Sequence, residues 1–178
     1  SPREADGLVL VLIPGGTFWM GAQASDRSQR NFDPEASSDE GPVHEVELSP
    51  FFISKYEMTR AQWLRLTGVN PSFYQAGPYT PTLLHPIEQV SWQDCTTWLS
   101  RTGLAVPTEA QWECAARGGT DTPWWTGAER YSLNEAPAAS LADQSAERAG
   151  APWGDIADWP DFDDGYPLHA PIGTFSAN

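Results

Sequence analysis

Hydrophobic positions follow two periods along this chain, and the change between them falls near Met58. In "LVLVLIPGGTFWMG" the apolar residues from Leu8 to Ile13 run into Pro14-Gly15-Gly16, after which Phe18 and Met20 share one side of a two-residue alternation and Trp19 takes the other. That pattern predicts a strand, a turn and a second strand. "PVHEVELSPFFISKYEMT" predicts two more, with Val46 and Leu48 on one face and Phe51 and Ile53 following the break at Ser49-Pro50. Residues 22–42 are polar and aperiodic, compatible with an ordered surface loop or a mobile one.

Beyond Met58 a helix-start signature occurs three times, in "MTRAQW", "VSWQDC" and "PTEAQW". In each, the hydroxyl of Thr59, Ser91 or Thr108 can accept the amide three residues on, while Gln62, Asp94 or Gln111 reaches back to the cap amide. Helices are therefore predicted over 60–67, ending at Gly68; over 92 to about 101, ending at Gly103; and over 109–116, ending at Gly118-Gly119. Their buried faces read Trp63 with Leu66; Trp92, Cys95, Trp98 and Leu99; and Trp112 with Ala115 and Ala116.

After Gly119 periodicity is nearly absent, yet Trp124, Trp125, Trp153, Trp159, Phe162, Tyr166 and Phe175 sit among Pro, Gly, Asp and Ser. That much aromatic surface is expected to pack, with an irregular backbone pinned by side chains or an ion. Antiparallel strands, two or three short helices and long ordered loops together predict an α+β domain.

Composition narrows the function classes. A chain of 178 residues can bury one core without cross-links. Its 24 acidic against 10 basic residues give a formal charge of -14, which repels phosphate backbones and anionic membranes, so nucleic-acid binding is not expected. No apolar run approaches the roughly 20 residues of a membrane span, and the chain reads as soluble with its compartment open. Two cysteines are too few for a disulfide scaffold, though one mutual bridge is allowed. On tryptophan-rich helix faces Cys95 and Cys114 read as small hydrophobes rather than reactive thiols.

"IPGGTFWMG", "PVHEVELSPFFISKYEMTRAQW", "VSWQDCTTWLSRTGLAVPTEAQWECAARGG" and the tail blocks "SLADQSAERAG" and "DFDDGYPLHAPIGTFSAN" together closely resemble the formylglycine-generating enzyme, or sulfatase-modifying-factor, family in the family's own order. The resemblance covers about residues 8–178 and implies a C-type-lectin-like variant with extensive irregular structure. Family members continue past the equivalent of Asn178 with "GLYDMxGNVWEW" and "RGGSW" blocks. Residues 1–178 are thus expected to be the N-terminal portion of one such domain, with its C-terminal part as a partner: a second chain, a cleaved remainder, or the rest of a longer protein.

What the resemblance implies about chemistry is divided. The copper-binding cysteine pair of the true enzymes lies in that C-terminal part, and neither Cys95 nor Cys114 matches a catalytic position. No catalytic residue is therefore assigned on this chain, which by itself is expected to be inactive. With its complement it would be a copper-dependent oxidase converting a protein or peptide cysteine to formylglycine; the alternative is a non-catalytic ligand-binding or regulatory domain of a bacterial multidomain signalling protein. Carried over residue by residue, the family's structural calcium site falls on Ser140, the Leu141 carbonyl, Asp164 and the Tyr166 carbonyl, with Asp161 and Asp163 adding negative charge and Ser140 replacing the usual Asn. An Asp-Gly turn capped by its own carboxylate is the structural alternative. Arg117 is expected to hold Glu109 or Glu113, His85 to fix a loop before a strand, and a zinc site from His44, His85 and His169 is not expected.

Overall fold

A computed structural model of the chain describes residues 2–4, 6–75, 82–135, 137–152 and 161–177. Trp153, Trp159 and Asn178 lie outside the described residues. The chain divides into two compact units, one built from Ser1–Val9, Ser54–Val106 and Pro137–Ala177, the other from Leu10–Ile53 and Pro107–Ala136.

The second unit carries the strands. β1 (Leu10–Ile13) pairs with β4 (Phe51–Ser54), whose last residue belongs to the first unit, and β2 (Gly16–Met20) pairs with β3 (His44–Leu48). β2 and β3 run antiparallel, with Phe18 opposite Val46 and Gly16 opposite Leu48. The predicted alternation holds: Phe18, Met20, Val46 and Leu48 are half-buried while Trp19 is exposed.

Residues 22–42 form a loop of turns. Asn31 is buried, and its Nδ2 donates to the carbonyls of Trp19 (2.8 Å) and Gly21 (2.7 Å), tying the loop to the end of β2. The left-handed φ of 53° at Asn31 suits a residue type that tolerates this region better than most. Gln23 and Phe32 bridge across the loop base.

The three boxed helices form as predicted. α1 (Arg60–Thr67), α2 (Trp92–Leu99) and α3 (Glu109–Arg117) each have both bonds of the capping box, and α2 continues through a 3-10 turn over Ser100–Thr102. Each run ends at a left-handed glycine, Gly68, Gly103 or Gly118. Reciprocal capping satisfies two otherwise orphaned amides per helix, which is why so short a motif marks the start so well.

Two expectations about these helices are corrected. Trp92 is 69% and Trp112 62% exposed, so neither belongs to a buried face among the described residues. Helical periodicity selects a face without saying what covers it: α3 turns Glu113 and Arg117 toward Gly21 at the end of β2, leaving Trp112 on another side, and α2 has no fully buried residue. Two short helices were also not legible, α4 (Ser132–Glu135) and α5 (Gln144–Arg148), because four or five residues are too few to show a 3.6-residue period.

The first unit buries Ala61, Trp63, Ala146, Phe162, Ala170 and Ile172 alongside Thr59, Arg60, Ser72, His85, Asp143 and Ser145. So polar an interior is held by directed hydrogen bonds as much as by apolar burial. The tail aromatics pack as expected where described: Phe162 is buried, and the Tyr166 and Phe175 rings meet edge to face at 6.2 Å.

Candidate functional site

The tail of the first unit brings the four residues of the candidate cation site together. Asp164 lies in a turn closed by Gly165, where its Oδ1 accepts the Tyr166 amide (2.6 Å) and its Oδ2 the Leu141 amide (2.9 Å). The Ser140 hydroxyl, beside this carboxylate, donates to the Leu168 carbonyl at 2.9 Å. Ser140, Leu141, Asp164 and Tyr166, 26 positions apart at the extremes, thus converge on one carboxylate.

Asp143 organises the surroundings. It is fully buried, caps α5 by accepting the Ser145 amide (2.8 Å) and accepts the Asp164 amide at 2.5 Å through its other oxygen. An Asp immediately before "QSAER" is an N-cap residue type, although without a following helical period it did not by itself mark α5. Burial pushes the Asp164 carboxyl above its ordinary value, with the negative charge of Asp143 adding to the rise, while the amides of Tyr166 and Leu141 and the Ser140 hydroxyl oppose it. Asp163, expected to add charge to the ion site, is instead engaged by Arg148 (2.8 Å) and the Ser145 hydroxyl (2.5 Å), which hold it down to about 2.

The expected donor set, the Ser140 hydroxyl, the Asp164 carboxylate and the Leu141 and Tyr166 carbonyls, is of the hard type, although it is the two amides rather than the two carbonyls that meet the carboxylate. All its atoms are oxygens, and each Asp164 oxygen, having accepted one amide, keeps a lone pair. A divalent ion would offset the cost of the desolvated Asp164 beside Asp143. Among the described residues no three His, Cys, Asp or Glu side chains gather at metal-binding spacing, so any ion here would depend on backbone oxygens and water besides Asp164.

Both cysteines are free thiols, and both are half-buried; Cys114 is less enclosed than its helix position suggested. Burial pushes each thiol up, assisted by Asp94 at Cys95 and by Glu113 at Cys114. Both influences disfavour the nucleophilic, metal-binding thiolate.

In the second unit α3 clamps the end of β2. Glu113 Oε1 accepts the Gly21 amide (2.8 Å) and the Arg117 Nε–H (2.7 Å), and Arg117 Nη2 donates to the Gly21 carbonyl (2.9 Å). Of the two carboxylates expected for Arg117, Glu113 is the one it holds. The clamp borders a cavity of about 750 Å3 lined by Trp112, Trp124 and Trp125 together with Asp39, His44 and Glu109.

Sequence reasoning missed a buried polar cluster around Arg60. Arg60 is 1% exposed; its Nη1 donates to the Tyr74 carbonyl (2.5 Å) and its Nη2 to Glu88 Oε1 (3.3 Å) and His169 Nε2 (2.8 Å). The His85 and His169 rings meet at 5.7 Å, and the Thr82 amide donates to His85 Nδ1 at 2.9 Å. His85 thus fixes a loop as expected, but that loop leads into α2 rather than a strand. One signal was available: a cation at the first position of a helix opposes the helix dipole and calls for a partner elsewhere.

No helix among the described residues is long and apolar enough to cross a membrane. Comparison with known proteins agrees with this architecture. The formylglycine-generating enzyme of Thermomonospora curvata is 30% identical over 229 aligned residues, covering the whole of this chain and 68% of that enzyme. The serine/threonine-protein kinase pkn1 of Chlamydia caviae is 28% identical over 62% of this chain but only 19% of the kinase. The structure of PvdO from Pseudomonas aeruginosa superposes with a TM-score of 0.63 at 25% identity, over 95% of this chain and 63% of PvdO. The chain therefore spans roughly two thirds of two of these relatives and a small part of the third. Its α+β fold with small irregular sheets is shared with PvdO, and residues 1–178 match the sulfatase-modifying factor enzyme 1-like domain throughout. Boxed helices, the "PTEAQWECAARGG" run and the Asp164-Gly165 turn, read with that full-length match, place this chain in the sulfatase-modifying factor, or formylglycine-generating enzyme, family.

Proposed function

We propose that this chain forms the supporting, non-catalytic part of a formylglycine-generating-enzyme-like domain, braced by a structural calcium ion, and that its own thiols take no part in chemistry. In this reading it is the N-terminal portion of a C-type-lectin-like variant completed by further sequence. Its share of its relatives' length and the exposure of Trp92, Trp112 and the β1 residues Leu10, Val11 and Leu12 support that completion. Any oxidation of a protein cysteine, with the copper it requires, then belongs to residues outside this chain. The observation that carries the proposal is that Cys95 and Cys114 are free, half-buried thiols on α2 and α3, each next in the chain to a carboxylate, Asp94 or Glu113, and that burial and this charge disfavour the thiolate.

The test presents the protein, with copper(I) and oxygen, to a sulfatase-type peptide containing cysteine. The peptide is expected to remain unoxidised, and both thiols to react with alkylating reagent at neutral pH more slowly than a free cysteine. Peptide oxidation that disappears in Cys95→Ser or Cys114→Ser would overturn the reading.

The calcium site in this proposal uses Ser140, the Leu141 carbonyl, Asp164 and the Tyr166 carbonyl, with water completing the six to eight oxygens such an ion takes. The ion would supply charge compensation and rigidity to the tail. Calorimetric titration with calcium is expected to give a binding heat that Asp164→Ala weakens by about tenfold or more. A heat signal unchanged in that variant would place the ion elsewhere.

A second reading, a ligand-binding or regulatory domain, is favoured by the indole-lined cavity of the second unit and by similarity to a small part of a chlamydial kinase.

A further inference from the structure

We infer that His85 and His169, gathered on the buried guanidinium of Arg60, form an acid-sensitive latch that holds residues 168–172 and the loop 82–88 against the start of α1 at neutral pH and releases them in acid. The geometry defines the protonation of both rings. Arginine only donates, so His169 Nε2, 2.8 Å from Arg60 Nη2, carries no proton. The Thr82 amide likewise donates to His85 Nδ1, so that nitrogen is an acceptor too. Both imidazoles are neutral when the latch is closed.

Protonating either ring turns an accepting nitrogen into a donor facing another donor. At His169 it also sets a second positive charge against the guanidinium. Among the described residues, the groups facing the rings are Arg60 from α1, Glu88 from the segment before α2, Thr82 and the opposite histidine, and Tyr74, whose ring lies 6.1 Å from His169. Glu88 is the anion among them, and its Oε1 already accepts from Arg60 (3.3 Å) and the Tyr74 amide (3.0 Å). One carboxylate cannot balance a guanidinium and two imidazolium rings, so charging the rings favours opening.

What would open is visible in the backbone. The Arg60 amide bonds to the His85 carbonyl (3.0 Å), the Ala61 amide to the Leu83 carbonyl (3.0 Å) and the Ile172 amide to the Leu84 carbonyl (3.1 Å). Three stretches distant in sequence are joined at the two rings. Burial first, and then the positive charge of Arg60, hold His169 below its ordinary value; burial, His169 and Arg60 do the same for His85. For groups depressed in the folded state the stabilisation is complete above the unfolded value and is lost as pH falls through the folded one. Release therefore belongs below the ordinary histidine range of about 6.5.

Hydrogen exchange of the whole protein tests this. Between about pH 7.5 and 5, protection of the Arg60, Ala61 and Ile172 amides is expected to fall by up to about tenfold per pH unit for each histidine taking up a proton. The Trp112 amide in α3, bonded to the Thr108 carbonyl, should keep its protection after correction for intrinsic rates. In H169Q an amide oxygen still accepts from Arg60 without titrating, so the dependence becomes shallower, and in H85N/H169Q it flattens. Uniform protection to pH 5 in the natural protein, or an equal loss in the double variant, overturns the latch. Ring titration of the natural protein by NMR decides the matter even where the variants fold poorly: histidines that protonate at or above their ordinary value with the three amides still protected are incompatible with it.

Discussion

Arg60→Leu is expected to lower the stability of the protein by about 3 kcal/mol, one of the two largest effects anticipated here. The loss is not that of a surface ion pair. Arg60 is buried and spreads its donors over the Pro86 carbonyl (3.4 Å), the Tyr74 carbonyl (2.5 Å), Glu88 and His169. A leucine would leave two carbonyls, an imidazole nitrogen and a carboxylate without their donor, and leaving a buried polar group unsatisfied costs about 1–3 kcal/mol. The total stays below the sum because the Glu88 side chain is 24% exposed and recovers part of its solvation from water. Arg60→Lys should fall between, since it keeps the charge and loses the fork that reaches several acceptors at once. Urea unfolding of the three proteins measures this, and a loss below about 1 kcal/mol for Arg60→Leu would show that the cluster contributes little to stability.

Gly21→Ala is the second, also expected to cost about 3 kcal/mol. Gly21 adopts φ of 90°, and an added Cβ would lie 2.6 Å from the Glu40 carbonyl oxygen, a backbone atom that already accepts the Ala22 amide at 3.0 Å. The chain must move, and moving it disturbs the bonds Gly21 makes with Glu113, Arg117 and Asn31. Gly68→Ala provides the control: φ there is 80° but nothing lies within 4 Å of the added atom, so only the backbone strain of about 1–2 kcal/mol remains. Equal losses in the two variants would mean that the close approach at Gly21 carries no weight.

The contrast between those glycines shows where sequence reading stops. Gly68 was legible because it follows a capping box by one short helical run, a local pattern with a local cause. Gly21 was legible only as the end of a strand; its closeness to Glu40 depends on the course of the loop 22–42, which Asn31 pins through two side-chain bonds. The candidate ion site is similar. Resemblance selected Ser140, Leu141, Asp164 and Tyr166, but the buried Asp143 beneath them and the diversion of Asp163 to Arg148 became apparent only in three dimensions.

By itself the sequence determined the three helix starts, their glycine stops, the strand alternation around Phe18 and Val46, the strong acidity and the family, because each follows from residues near one another along the chain or from motifs in fixed order. Tertiary structure alone decided which apolar faces are covered, so that Trp63 is buried while Trp92 and Trp112 stand in the open. It also decided that Arg60, His85 and His169, separated by as many as 109 positions, share one buried cluster. The physical reason is common to both: periodicity and capping report local geometry, whereas burial and charge pairing are set by whichever distant segment the folded backbone brings alongside.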